Sequence, residues 1–180
     1  MTERKGIVAM NGMPLTLCGN EIKIGDVAPD FTVINNKFEP VKLSDYKGKK
    51  VVISVFPSID TGVCATQTRT FNKKATSLDP DTVIISVSKD LPFALGRFCG
   101  AEGIERVLTC SDFMASEFGQ KYGFLIKENQ LLARGVVVVD KEGIVKHVQY
   151  VDDIIHEPDY DKALAALECT DSGPTAAPCR

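Results

Sequence analysis

Two runs of β-branched residues, Val51 to Phe56 (VVISVF) and Thr82 to Ser88 (TVIISVS), constrain this chain more than anything else in it. Neither alternates cleanly between apolar and polar, so each reads as a strand buried on both faces. Between them Cys64, Phe71, Ala75 and Leu78 recur at helical spacing. The centre of the chain is therefore a strand–helix–strand unit.

The flanking segments extend this pattern. Asp90 is placed to cap a second helix through LPFALGRF, with Leu91, Ala94, Leu95 and Phe98 as its apolar stripe and Gly100 as its stop. Gly135 to Val139 (GVVVV) reads as a strand, 140–143 as a turn, and Ile144 to Val151 as a second strand, together an antiparallel hairpin. Pro158 opens a final amphipathic helix whose apolar face is Tyr160, Ala163, Leu164 and Leu167. Near the start, Asn11-Gly12 separates GIVAM from PLTL, a hairpin signal. These elements predict an α/β sandwich: a mixed central sheet, helices on both faces and an N-terminal β-hairpin. Residues 1–169 are expected to form one domain. The small residues and prolines of 170–180 predict a flexible tail.

Charge and segment length exclude several functions. A net charge of -3 and a pI near 5.4, without a basic run, argue against nucleic acid or an anionic membrane as partner. No segment approaches the ~20 apolar residues of a membrane helix. The acidic Glu3 and the short apolar stretch of MTERKGIVAM do not make a secretory signal, so the expected location is cytoplasmic. In a reducing compartment the six cysteines are not expected to be three structural disulfides. No pair has C-x-x-C spacing, and His147 and His156 lie far from any cysteine, so no zinc site is expected.

Cys64 remains to be explained. It follows a buried strand and falls in the first turn of a helix capped by Asp60 or Thr61. There, unpaired backbone N–H groups and the helix dipole favour a thiolate over a thiol. The same periodicity would equally suit a small core residue. Its neighbours tip the balance: Thr61 can offer a hydroxyl to the sulfur, and Pro57, lacking an N–H, can shield the strand end from water.

Pro57, Thr61 and Cys64 form P-x-x-x-T-x-x-C, which resembles the signature of the peroxiredoxins. FPSIDTGVC, DLPFALGRFCGAEG, ARGVVVVD and EPDYDKALAAL are similar, in order, to their thiol peroxidase subfamily, over about residues 12–167. The resemblance implies a thioredoxin-like fold, a homodimer without cofactor, and reduction of hydrogen peroxide and organic hydroperoxides. It implies Cys64 as the attacking cysteine, Thr61 as its orienting hydroxyl, Pro57 as the shelter and Arg134 as the stabilising cation. It also implies Cys99 as the resolving cysteine, forming an intramolecular disulfide with Cys64 that thioredoxin reduces.

These residue types suit that chemistry. Peroxide cleavage needs a thiolate, an aligned O–O bond and positive charge near the departing oxygen. The resulting sulfenic acid must meet a second thiol or be over-oxidised. Spacing alone cannot bring Cys64 and Cys99 together, and it leaves Arg134 readable as a solvated arginine at a strand edge. Two rivals stay open: a thiol–disulfide oxidoreductase, disfavoured by the missing C-x-x-C, and a peroxide sensor using the same cysteines without turnover. Cys18, Cys110, Cys169 and Cys179 are assigned no role.

Overall fold

In a computed structural model, which describes residues 1–168, the chain builds two sheets and four α-helices. The predicted tail lies outside the described residues, as do Cys169 and Cys179. The first strands, β1 (Glu3–Met10) and β2 (Met13–Cys18), form the expected antiparallel hairpin. Asn11 and Gly12 turn it with φ of 51° and 74°, the left-handed pair that a two-residue hairpin loop requires. A short strand, β8 (Leu125–Ile126), pairs with β2 and completes this small sheet.

The large sheet contains β3 (Thr32–Asn35), β4 (Pro40–Lys42), β5 (Lys50–Val55), β6 (Thr82–Ser88), β7 (Leu108–Ser111), β9 (Gly135–Val139) and β10 (Val145–Tyr150). Their order across it is β10-β9-β5-β6-β7-β3-β4. Strands β5, β6 and β7 run parallel, whereas β9 joins β5 and β3 joins β7 antiparallel. The mixed sheet expected from the sequence is thus present.

Successive side chains of its central strands part to opposite faces. Val51, Ile53, Val55, Val137 and Val139 pack with Phe31, Phe118, Tyr122 and Phe124, beneath the small sheet and the one-turn helix α3 (Glu117–Lys121). Val52, Val136 and Val138 pack with Phe71 of α1 (Gly62–Lys74) and with Ala163 and Leu167 of α4 (Tyr160–Glu168). Helix α2 (Pro92–Glu102) lies on this second side, adding Phe98 and Cys99 at the margin of that cluster. Burying a side chain such as Phe71, fully shielded here, stabilises by about 1.5–3 kcal/mol. Among the described residues no helix is long and apolar enough to cross a membrane.

Helix ends depart from expectation in three places. Leu91, not Asp90, precedes the first residue of α2, and Pro92 is that first residue. The stop is Gly103, at φ 64°, with Gly100 inside the helix. The inner stripe accordingly starts at Pro92 and Leu95, leaving Leu91 51% exposed. Pro158 lies just outside α4, where the Asp159 carboxylate accepts the Lys162 N–H at 3.0 Å and caps the helix.

Candidate active site

The register of the large sheet assembles the site. Val55, the last residue of β5, pairs with Gly135, the first of β9. The residues just beyond these ends, Phe56-Pro57 on one side and Arg134 on the other, therefore meet at one edge. Gly135 lets β10 and the Phe124 ring pack close against this strand start, since a Cβ there would lie 2.0 Å from the Gln149 carbonyl oxygen. The last ladder bond on the β6 side of this segment runs from Phe56 N–H to the Val87 carbonyl, 3.2 Å. Pro57, buried and without a donor, then diverts the chain into the turn that starts α1.

Thr61 caps α1 with extended backbone (φ -101°, ψ 147°), yet its side chain does not bond the helix N–H groups. Its hydroxyl lies 2.8 Å from Cys64 Sγ and 3.1 Å from the Ser58 carbonyl. Cys64 itself is fully buried among Phe56, Ile59 and Leu95. From the other side Arg134 Nη2 donates to the same sulfur at 3.1 Å. The sulfur thus faces two donor groups: Arg134 Nη2, and the Thr61 hydroxyl, whose one proton is shared with the Ser58 carbonyl and is drawn to the sulfur when that is charged.

Arg134 is only 2% exposed, so the solvated strand-edge alternative does not apply. Its Nε donates to the Ile154 carbonyl at 2.8 Å and its Nη1 to Gln67 Oε1 at 2.7 Å. Both partners are neutral. A buried cation needs a compensating charge, and among its hydrogen-bond partners only Cys64 can supply one, as a thiolate.

Gln67 is the residue that sequence reasoning missed. It is fully buried on the inner face of α1, and its Nε2 donates to Ser54 Oγ at 2.8 Å and the Val55 carbonyl at 3.3 Å. The guanidinium is thereby tied to strand β5 through a side-chain amide. A signal existed: an amide one turn after Cys64 interrupts a face that Phe71 makes apolar.

Cys99 is not brought to Cys64 in this structure. Both are free thiols. Leu95 and Phe98 of α2 pack against the Cys64 cluster, while Cys99 packs with the cluster around Phe71, Ile84 and Ile104. Its Sγ lies 3.3 Å from Thr109 Oγ1. Cys18 and Cys110 are buried in the core on the opposite face of the sheet. Burial pushes the Cys110 thiol up to about 12, which makes it inert at neutral pH. Among the described residues no cluster of His, Cys, Asp and Glu could hold a metal ion.

Comparison with known proteins identifies the family. The family model described as Redoxin matches residues 23–164. The chain belongs to the redoxin family. A thiol peroxidase of Oceanobacillus iheyensis is 51% identical to this redoxin over 160 residues, spanning 89% of this chain and 97% of its own. One from Bacillus subtilis is 49% identical, spanning 89% and 96%. A peroxiredoxin-like protein from Aquifex aeolicus, at 38% identity, superposes with a TM-score of 0.84 over 92% of this chain and 98% of its own. Mycobacterium tuberculosis AhpC, at 21% identity and a TM-score of 0.73, shares the thioredoxin-like fold. Within its family this redoxin is a peroxidase of the peroxiredoxin type, in the thiol peroxidase group.

Proposed function

We propose that this redoxin reduces hydrogen peroxide and organic hydroperoxides at Cys64 and is recycled through Cys99 by thioredoxin. The observation that carries the reading is the buried Cys64 sulfur held between Thr61 Oγ1 at 2.8 Å and Arg134 Nη2 at 3.1 Å. The thiolate attacks one peroxide oxygen and the O–O bond breaks. The second oxygen leaves with the electron pair and takes up a proton, giving water or an alcohol. Arg134 stabilises the charge that moves from sulfur to the leaving oxygen, Thr61 aligns the pair, and Pro57 keeps bulk water from the strand end.

Cys64 is then a sulfenic acid. The Cys99 thiol attacks its sulfur, a disulfide forms and water leaves. A disulfide needs Cα atoms within ~7 Å and Cβ vectors that face each other. The separate packing of the two thiols supports a local opening of α1 or α2 before that step. Thioredoxin, as a dithiol, would restore both thiols by exchange.

We place the protein in the cytoplasm as a homodimer. The exposed rings of Phe38 and Phe93, with centroids 4.8 Å apart, are an apolar surface that such a dimer would cover. The test is steady-state peroxide consumption coupled to thioredoxin and its reductase, for hydrogen peroxide and a bulkier hydroperoxide. Wild type should turn over and Cys64→Ser should consume none. Stoichiometric oxidation without turnover would favour a sensor instead.

A further inference from the structure

The turn that carries Thr61 to Cys64 has an anchor outside its own segment. Asp90, between β6 and α2, accepts the Ser58 hydroxyl at 2.7 Å on one carboxylate oxygen. Its other oxygen accepts the Ile59 N–H at 2.7 Å and the Ser88 hydroxyl at 2.6 Å. The anchor is fixed in turn. The Ser111 hydroxyl donates to the Asp90 carbonyl, and the Asp90 N–H meets Ser88 Oγ at 3.2 Å. Asp90 therefore stands on the ends of β6 and β7.

The path onward consists of hydrogen bonds. Ser58, held by Asp90, presents its carbonyl to the Thr61 N–H at 3.2 Å and to the Thr61 hydroxyl at 3.1 Å. That hydroxyl reaches Cys64 Sγ at 2.8 Å. Ile59, pinned through its N–H, inserts its buried side chain beside Cys64 and Leu95. Removing the carboxylate would leave the 58–61 turn bonded mainly to itself.

We propose that Asp90 is a positioning residue for Cys64, acting through Ser58 and Thr61 to hold the hydroxyl at the sulfur. The inference rests on the peroxidase reading above. A misplacement of about 1 Å costs up to 10²-fold in rate, so loosening this turn should slow Cys64 oxidation by about tenfold.

The experiment is a double-mutant cycle read by single-turnover oxidation of Cys64 with hydrogen peroxide, alongside unfolding in urea. Asp90→Ala should slow oxidation about tenfold in the wild-type background and change it less than twofold in a Thr61→Val background. Asp90→Asn should stay within about threefold of wild type, because its amide oxygen can accept from Ile59 and Ser88 while its NH₂ donates to Ser58 Oγ. Should Asp90→Ala not fold, Ser58→Ala cuts the same path at its next link and carries the same expectations. A full tenfold effect persisting without the Thr61 hydroxyl, or an Asn variant as slow as the Ala variant, overturns the inference. A wild type that does not oxidise with peroxide overturns the peroxidase reading and this inference with it, whereas the first two results leave that reading intact.

Discussion

Arg134→Met separates the two roles proposed for one buried guanidinium. Met keeps most of the apolar volume and removes all three bonds: to Cys64 Sγ at 3.1 Å, Gln67 Oε1 at 2.7 Å and the Ile154 carbonyl at 2.8 Å. For chemistry, losing one preorganised donor costs about 10²–10³ in rate, or roughly 3–4 kcal/mol in the barrier. For folding, two buried acceptors are stranded at about 1–3 kcal/mol each, a total loss of roughly 2–6 kcal/mol. Domains have about 5–15 kcal/mol in all, so the variant is expected to fold with a clearly lowered urea midpoint. Stopped-flow mixing with sub-stoichiometric hydrogen peroxide reads the chemical step alone, and urea unfolding reads the other. Arg134→Lys guards against a variant that does not fold. It keeps a cation but puts a point donor where a fork served three acceptors, so its rate should fall between Met and wild type. A folded Met variant that oxidises Cys64 at the wild-type rate would refute the electrostatic role and leave Arg134 a purely structural residue.

Two other consequences are open to direct measurement. Cys99→Ser should consume about one equivalent of peroxide per chain, lose turnover with thioredoxin, and accumulate sulfinic acid at Cys64 under excess peroxide; full turnover in that variant, with Cys64 mapped to another cysteine, would sink the resolving role. Burial pushes Asp112 up to about 6, against the N–H bonds from Phe118 and Gly119 that favour its charged form. A raised carboxyl binds its proton more tightly folded than unfolded, so its contribution to stability falls as pH rises from about 4 to about 6, by up to roughly 3 kcal/mol. The stability difference between wild type and Asp112→Asn, from urea unfolding across that window, should shrink or change sign accordingly; pH-independent differences would contradict the buried-carboxyl account.

Long buried strands and the helix between them were legible in the sequence because β-branched runs and a 3.6-residue period are local properties. Strands β3 and β7, at four residues each, and the five-residue α3 are too short to show a period, and pairing alone makes them visible. The same division runs through the site. Thr61 and Cys64 are one helical turn apart, so their meeting follows from the helix itself. Gln67 follows one turn later on the same helix, whereas Arg134 and Asp90 meet the site only through sheet order. Asp90 looked like a helix cap because a cap and a cross-loop anchor are both short acceptors just ahead of a helix. Telling them apart requires knowing that β5 and β6 are parallel neighbours with Val55 beside Val87, which sets the loops after both strands side by side. It also requires knowing that β9 is antiparallel and enters at that same edge, which delivers Arg134. Three segments remote in the chain thus converge where two strands end and a third begins, the usual place for chemistry in an open α/β sheet. The support of Cys64 is set there by topology rather than by spacing, so residues in these three segments should govern its reactivity more than its sequence neighbours beyond the first turn of α1.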